Sequence, residues 1–534
     1  MFKLICGLYV LTTVASDPVL VTTSFGEVLG RETDGVLQFF DIPYGKFESV
    51  KPFQEPDLPN NWTTTRDKLK HNSLCPQMKD GIYEYNYDEE NDCLSLSIFT
   101  PSKTDPSGKS EKFAVLFHIH DSSYASGSGD PNVYNPKNLV DNNIILVLPN
   151  YRLGALGFMC LLNETAPGNA ALKDLALALN WIKNEIEKFG GNSSNIVVSG
   201  AGVGGALVEY LLISNTSRKY ISRAITESGF SLSPWAIDRN PLATASPLKD
   251  LLKDTLDIRD IVTESTNIEF RPCIEKENGF ITESPWQLLK EIKIELTYMV
   301  GTVNHAAWHR AVERVATEDR VSMLNSNASL FLPDDLVFHN DDERQQIGRQ
   351  VRSLYFGARN ITATDVNQLS QLITDSEYLN PGLRGARLLL EGGSEVYFYE
   401  YSFNNPALTP GFNASTRGNS LDFVFGRDPV PESTDSMKNV MIDLWTSFIK
   451  TGKPSATDVT WNPLKKVPAT DEKWLSIGAT AQMRHGVYLD RLRLWQEIYD
   501  RHFIDNLGFA QRPIIYVYAL TSGLSLFIRM SLGP

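Results

Sequence analysis

Two pairs of histidines are the first residues of this 534-residue chain whose type and spacing could do chemistry. His118 and His120 are two residues apart and His305 and His309 are four apart. Each pair could therefore present two imidazoles on one side of a strand or helix. Two imidazoles are necessary but not sufficient for a metal site, and neither pair has an identifiable third ligand. We predict packed or surface histidines, with no metal and no cofactor.

A glycine-rich turn at residues 200–204 lies between a short apolar segment and a helical pattern. Strand, tight turn and helix in this order are typical of a parallel α/β sheet. No linker, low-complexity segment or internal repeat follows up to residue 505, which favours one large domain. The candidate buried strands are residues 113–119, 144–148 and 196–199, and the candidate helices are residues 172–189 and 206–213.

The net charge of the chain argues against one class of partner. Lys and Arg number 50 against 64 Asp and Glu, which leaves a formal net charge of -14. Such a surface repels phosphate backbones, and no basic cluster with interleaved aromatic residues reverses this locally. Nucleic acid is therefore not expected as a partner.

Both ends of the chain indicate export. Residues 1–16 combine Lys3, an apolar run and small residues, which is the pattern of a secretory signal peptide, and residues 17–505 then form the folded domain. Residues 506–534 contain an apolar run that predicts a membrane anchor or a removable GPI signal. A buried terminal segment is the alternative for this tail. The expected location is extracellular, either secreted or tethered to the cell surface.

Sequons and cysteines fit an oxidising extracellular compartment. After the leader, four cysteines remain and allow three pairings. Cys75 with Cys93 closes a short loop and is the predicted disulfide, whereas Cys160 and Cys273 could pair or remain free thiols. Seven sequons are the predicted glycosylation sites: Asn61, Asn163, Asn192, Asn215, Asn327, Asn360 and Asn413.

Seven different motifs follow one another along the chain after the leader. They are Phe40-Asp41-Ile42-Pro43-Tyr44-Gly45, Asp92-Cys93-Leu94, Asn150-Tyr151-Arg152-Leu153-Gly154, Pro167-Gly168-Asn169, Phe189-Gly190-Gly191, Glu227-Ser228-Gly229 and residues 445–454. In this order they resemble the type-B carboxylesterase and cholinesterase family. The resemblance implies an α/β-hydrolase fold, with a large, mostly parallel central sheet flanked by helices in a single domain.

The resemblance also identifies the positions of a catalytic triad. Active members carry a serine in a GxSxG turn, an acid after an MxG segment, and a histidine before an apolar stretch ending in Phe-Gly. The matching positions hold Gly202, Ala306 and Arg417. Glycine has no atom that could attack an acyl carbon, and arginine keeps its proton at physiological pH. No histidine occurs from residue 341 to residue 484, the stretch that should supply the base.

The oxyanion hole of the family departs from its pattern as well. Active members use His-Gly-Gly-Gly-Phe, where bare backbone N–H groups approach the developing negative oxygen. The matching positions here are Asp121, Ser122 and Val203, and the Asp121 carboxylate would repel an oxyanion. Loss of one such donor costs about 10²- to 10³-fold in rate. We therefore predict that the protein is not an enzyme.

The resemblance is to the non-catalytic branch of neuroligins, neurotactin, gliotactin and glutactin, which implies a role in cell adhesion or protein recognition. We predict a catalytically inactive extracellular glycoprotein with an extracellular protein partner. Two alternatives stay open. In the first, the former gorge, which is the pocket that holds the substrate in active members of the family, binds small lipophilic or ester ligands. In the second, Ser122, Ser123 or Ser228 serves as a relocated nucleophile with His120 as base. An open apolar gorge would favour the binder, and a gorge filled by Ser122, Tyr124 and Arg417 would favour a surface-acting module.

A terminal amphipathic helix is the candidate for self-association. Leu489, Leu492, Trp495, Ile498 and Tyr499 recur at three- or four-residue spacing. Such a helix could pack on its own domain or form a homodimer near Trp495, because members of the family commonly pair there as a four-helix bundle.

Overall fold

The computed structural model describes most of the chain. The described residues are 18–86, 93–102, 112–254, 257–404, 415–426, 434–467, 471–485 and 488–503. The predicted leader at residues 1–16, the tail at residues 506–534 and the sequon at Asn413 lie outside these residues.

Within the described residues, twelve strands form one sheet and two form a separate hairpin, β4–β5. The order across the large sheet is β1-β2-β3-β6-β8-β7-β9-β10-β11-β12-β13-β14. The strands are β1 Val19–Thr22, β2 Glu27–Thr33, β3 Val36–Pro43, β4 Leu74–Lys79, β5 Ile82–Asn86, β6 Ser95–Pro101, β7 Phe113–Ile119, β8 Ile144–Pro149, β9 Gly191–Ala201, β10 Arg223–Glu227, β11 Thr297–Val303, β12 Glu395–Tyr401, β13 Lys473–Ile477 and β14 Ala481–His485.

Helices flank this sheet and connect its strands. They are α1 Lys137–Asp141, α2 Gly154–Phe158, α3 Ala170–Glu185, α4 Val203–Ile213, α5 Pro241–Ala245, α6 Leu251–Asp254, α7 Ile258–Glu264, α8 Pro285–Glu291, α9 Trp308–Arg314, α10 Glu318–Ser326, α11 Asp341–Phe356, α12 Val366–Thr374, α13 Asn380–Glu391, α14 Asn419–Val424, α15 Asp435–Thr451 and α16 Leu489–His502. A π-helical turn, Asp375–Leu379, joins α12 to α13. No described helix is long and apolar enough to cross a bilayer.

The centre of the sheet is parallel and its margins are antiparallel. Strands β8, β7, β9, β10, β11, β12 and β13 pair in parallel, each with its neighbour. Strands buried on both faces need continuous apolar side chains, and β7 and β8 consist almost entirely of them. Two apolar clusters make up the core, one containing Val115 and Val198 and the other Leu116 and Val197. Because successive side chains of a strand point to opposite faces, the two clusters lie on opposite faces of the sheet.

The predicted α/β fold, with a large mostly parallel sheet in a single domain, is confirmed. Strand β9 is longer than the predicted residues 196–199, because its first half pairs with β7 through a register shift although its side chains are partly exposed. That half carries no apolar pattern, so the sequence could not reveal it. The predicted helix at residues 172–189 is α3, followed by a 3₁₀ turn at Ile186–Phe189.

Disulfide bonds cross-link two parts of the chain. Cys75 is bonded to Cys93, as predicted, and Cys160 is bonded to Cys273. The second bond answers the question left open by spacing, because it joins segments 113 residues apart that only the fold brings together.

The parallel strands place their carboxyl ends along one edge of the sheet. Asp121 follows β7, Gly202 follows β9, Ser228 follows β10 and Ala306 follows β11. Four positions that are far apart in sequence therefore converge on this edge.

Candidate functional site

The turn between β9 and α4 is built around Gly202. Its backbone has φ +55° and ψ -124°, a conformation that L side chains rarely adopt and that glycine tolerates. The Gly202 N–H donates to the Glu227 carbonyl at 2.9 Å, which ties the turn to β10. A Cβ atom at Gly204 would lie 2.3 Å from the Ile119 carbonyl oxygen, so the turn packs directly on the end of β7. The sharp strand-to-helix geometry is present, but no side chain projects from its apex.

Asp121 occupies the space above that apex. A Cβ atom built on Gly202 would lie 2.6 Å from Asp121 Oδ2. The Val203 N–H, at the first position of α4, donates to Asp121 Oδ1 at 3.2 Å. A carboxylate thus takes both the place of a nucleophile's side chain and the backbone donor at the helix N-terminus.

Arg417 pairs with the same carboxylate. Its Nε lies 3.3 Å from Asp121 Oδ2, and the side chains are 31% and 29% exposed. The negative charge of Asp121 raises the pKa of Arg417 above its usual value. The structure therefore brings together three predicted positions, Gly202, Asp121 and Arg417, and an ion pair joins Asp121 to Arg417.

Ala306 lies in the turn after β11 and is buried. It belongs to an apolar cluster that also contains Ala201 and Leu421. The neighbouring His305 has its pKa lowered to about 4, first by burial and then by the positive charge of Arg491. A neutral imidazole is therefore its resting form, and position 306 offers no carboxylate to orient a base.

The serines considered as relocated nucleophiles fall into two environments. Ser122 is buried, and its Oγ accepts hydrogen bonds from the Tyr151 hydroxyl and the Tyr124 N–H, both at 3.0 Å. Ser228 is also buried, and its Oγ accepts from the Val303 N–H at 3.0 Å. Ser123 is exposed. Two of the three hydroxyls are therefore held by internal hydrogen bonds.

His120, the base considered for them, is buried and stacks on Tyr151 with 4.4 Å between ring centroids. Burial lowers its pKa to about 4, a shift that the nearby Asp121 opposes. An imidazole with so low a pKa is a weak proton acceptor at neutral pH.

Tyr124 extends the filling of this region. It is 4% exposed, and its hydroxyl donates to the Ala236 carbonyl at 3.1 Å. Its ring meets Phe158 edge to face at 5.0 Å. Ser122 and Tyr124 are thus packed into the protein, and Arg417 is ion-paired beside them.

Sequence reasoning missed a buried carboxylate behind the turn. Glu227, at the end of β10, accepts hydrogen bonds from the Tyr399 hydroxyl at 2.6 Å and from the Ser420 hydroxyl. Burial raises its pKa above the usual value for a glutamate. A charged residue closing an otherwise apolar strand is the signal that could have identified it. Sequence reasoning also missed the Asp121–Arg417 pair. The signal for that pair was two opposite charges at positions that both depart from the family pattern.

The histidine pairs do not act as units. His118 Nδ1 lies 2.9 Å from Ser199 Oγ on β9, whereas His120 stacks on Tyr151. His305 is buried while His309 is exposed on α9. In the part of the chain that the structure describes, no three His, Cys, Asp or Glu side chains are grouped to hold a metal ion.

The predicted glycosylation sites are spread over the domain. Four are exposed, at Asn61, Asn163, Asn215 and Asn360, and two are half-buried, at Asn192 and Asn327. These exposures are compatible with the sequon prediction for the first four sites.

The chain is similar to known proteins over most of its length. The profile described as the carboxylesterase family matches residues 17–495. Among solved structures, a PNB esterase superimposes with a TM-score of 0.73 at 22% identity, covering 89% of this chain and 99% of that one. This likeness establishes the α/β-hydrolase fold.

Relatives of two kinds are similar in sequence. Gut esterase 1 of Caenorhabditis elegans is 25% identical, over 91% of this chain and 94% of its own length. Neuroligin-3 of Mus musculus is 26% identical, over 91% of this chain and 69% of its own length. Esterase FE4 of Myzus persicae is 25% identical, over 86% of this chain and 89% of its own length. Similarity of this degree to esterases and to neuroligins alike leaves the choice between them to the residues of the site.

Proposed function

The chain belongs to the carboxylesterase family, and we propose that it is a catalytically inactive member that acts extracellularly in cell adhesion or protein recognition. The observation that carries this proposal is the contact between Asp121 and the turn at Gly202. Asp121 Oδ2 lies where a Gly202 side chain would begin, and Asp121 Oδ1 accepts the Val203 N–H. An acyl group placed there would meet a carboxylate instead of a nucleophile and an oxyanion donor.

Arg417 supports the same reading from the position of the expected base. A guanidinium cannot accept a proton from a nucleophile, and its ion pair with Asp121 raises its pKa further. Buried His305 and His120, each with a pKa of about 4, are poor substitutes at neutral pH.

Extracellular location is part of the proposal. Two disulfides, Cys75–Cys93 and Cys160–Cys273, are typical of an oxidising compartment. The predicted leader and sequons agree with them. Similarity to neuroligins supports recognition of a protein partner as the retained role.

The structure favours this role over the binder considered from sequence. Ser122 and Tyr124 are packed and hydrogen-bonded, and Arg417 is ion-paired, where an open gorge would leave them lining free space. A cleft of about 690 Å³ lies elsewhere, and none of Asp121, Gly202, Ala306 or Arg417 lines it.

Self-association through α16 also remains a proposal. Trp495, Ile498 and Tyr499 are at most 3% exposed and pack within their own domain. A homodimer at this helix would therefore use the opposite, charged face, where Arg493 and Glu497 are exposed. Light scattering tests it, and a monomer mass that does not change with concentration would contradict it.

The test of inactivity is a fluorophosphonate probe that labels activated serines, applied to the purified protein beside an active carboxylesterase. We expect no labelling and no turnover of a short-chain ester. Labelling that disappears in Ser122→Ala, Ser123→Ala or Ser228→Ala would contradict the proposal and identify the displaced nucleophile.

The test of recognition is a cell-aggregation assay. Non-adherent cells that display the full chain are mixed with cells of the source tissue, and we expect mixed aggregates that form without esterase turnover. Aggregation that is blocked by an active-site esterase inhibitor would count against the role. So would aggregation no greater than that of control cells that display an unrelated domain of equal size.

A further inference from the structure

The cleft of about 690 Å³ lies between three chain segments and holds an unusual arrangement of charge. Its walls come from residues 48–57, residues 162–167 and residues 275–279, and Lys173 of α3 also lines it. Its size falls in the range of clefts that bind ligands or a few side chains of a partner. Its residues play no part in the turn at Gly202 described above.

The 275–279 wall is held rigidly. Glu275 is buried, and its Oε2 accepts the Asn169 side-chain amide at 2.7 Å and the Phe280 N–H at 2.8 Å. Its Oε1 pairs with Lys173 Nζ on α3 at 2.8 Å. Next to it, the Cys160–Cys273 disulfide joins this wall to the segment that follows α2. A wall fixed in advance loses little conformational entropy when a partner binds.

The lysines of the cleft are mostly engaged by carboxylates of the cleft itself. Lys173 contacts Glu275 and lies 3.5 Å from Glu55, and Lys51 lies 3.5 Å from Glu48. Six carboxylates and three lysines line the cleft, which leaves an excess of three negative charges.

Outside these ion pairs, the cleft carries three carboxylates, Asp57, Glu164 and Glu277, and one exposed lysine, Lys276. The three carboxylates are exposed, and none of them forms an ion pair with a described residue. One of the three carboxylates lies on each wall of the cleft. The net charge of -14 on the whole chain adds to the negative potential at this opening.

We propose that this cleft docks an extended, lysine- and arginine-rich segment of a partner protein. Spaced carboxylates suit several separate cationic side chains, whereas a metal ion would need ligands grouped around one point, and no such group occurs among the described residues. Leu162 and Pro167 supply apolar surface for the methylene stems of those side chains. The inference rests on the recognition role proposed above and names the chemistry of its partner.

The experiment measures binding of a fluorescein-labelled peptide of alternating arginine and glycine by anisotropy. Wild type is compared with Asp57→Lys/Glu164→Lys/Glu277→Lys, which retains the sequon at Asn163. We expect the triple variant to bind at least about tenfold more weakly, and added salt to weaken binding to wild type.

The matched control is Glu32→Lys/Glu264→Lys/Glu391→Lys. These glutamates are exposed and line no part of the cleft, and the change in net charge is the same. We expect binding to weaken less than about threefold. Equal losses in the two triple variants, or no binding to wild type at low salt, would overturn the proposal.

A second cleft variant guards against misfolding. Asp57→Asn/Glu164→Gln/Glu277→Gln keeps the side-chain shapes and removes only charge, so it should fold as wild type does and still bind more weakly. Full binding by this variant would overturn the proposal. Fluorophosphonate labelling is independent of these side chains, so failure of the cleft and failure of the inactivity proposal give separate results.

Discussion

The turn at Gly202 and the cleft at Glu275 use charge in opposite ways. At the turn, Asp121 and Arg417 satisfy each other and the Val203 N–H. At the cleft, the buried pair of Lys173 and Glu275 supports the wall, and the exposed carboxylates are left for solvent or a partner. An unpaired charge is costly inside a protein and cheap at its surface. The difference between the two regions is that the charges at the turn are paired with each other, whereas three exposed carboxylates of the cleft have no ion-pair partner among the described residues.

The largest expected effect concerns the rigidity of the cleft. Cys160→Ser/Cys273→Ser removes a cross-link between residues 113 apart, and we expect the free energy of unfolding to fall by about 4 to 5 kcal/mol. Cys75→Ser/Cys93→Ser is the matched control, because it removes a link across 18 residues and should cost about 3 kcal/mol. Denaturant titration measures both. The opposite order would break the view that the longer link is what stabilises the cleft region.

The next effect tests whether the turn is closed. In Gly202→Ser the new Cβ meets Asp121 in a conformation unfavourable for L residues, so we expect the free energy of unfolding to fall by about 1 to 3 kcal/mol, with no ester turnover. Gly357→Ser is the control, because Gly357 has φ +67° and ψ -150° with open space around it. It carries similar backbone strain without the contact. Equal losses would mean that Asp121 moves aside freely, and ester turnover would reopen the catalytic question.

A smaller effect distinguishes buried from exposed carboxylates by pH. Burial raises the pKa of Glu400, at the end of β12, to about 7, with a hydrogen bond from Tyr488 opposing the shift. Because the folded pKa is raised, its stabilising contribution is complete below the unfolded pKa and is lost as pH rises through about 7. Thermal unfolding should therefore show wild type losing about 2 kcal/mol relative to Glu400→Gln between roughly pH 5 and pH 7, the interval between the unfolded and the folded pKa.

Exposed Glu277 supplies the control for that pH series. Glu277→Gln makes the same chemical change as Glu400→Gln but at an exposed side chain. His120 and His305, each with a folded pKa of about 4, make stability rise with pH between about 4 and 6.5 in wild type and in Glu400→Gln alike, so their contribution cancels in the difference between the two proteins. A difference between wild type and Glu400→Gln that stays constant from about pH 5 to pH 7 would contradict the burial argument.

The smallest effect is the coupling within the turn itself. A double-mutant cycle on Asp121→Asn and Arg417→Gln should give a coupling free energy of roughly 1 kcal/mol, because the pair is only partly exposed and shares a hydrogen bond with the helix N-terminus. The surface pair Arg31–Asp67, 43% and 41% exposed, should give less. A larger value for the surface pair would remove the distinction between the two regions.

Much of the fold could be predicted from short-range patterns. Strand β7 and helix α16 match the predicted apolar run and the predicted amphipathic spacing, because burial on two faces or on one face leaves a period in the sequence. The first half of β9 could not be predicted, since its pairing depends on β7 and not on its own side chains. The pairing of Cys160 with Cys273 was undecided for the same reason.

The site divides along the same line. The identities of Gly202, Ala306 and Arg417 are facts of the sequence, and the chemistry that a glycine or an arginine cannot perform follows from side-chain structure alone. Asp121 fills the space over Gly202 only because the ends of β7 and β9 lie side by side. It pairs with Arg417 only because the chain comes back to this place almost three hundred residues later. The same holds for the three walls of the cleft. Sequence determines which groups exist and how they ionise in water, whereas only the tertiary structure decides which charges meet, because Coulomb energy depends on distance and burial between residues remote along the chain.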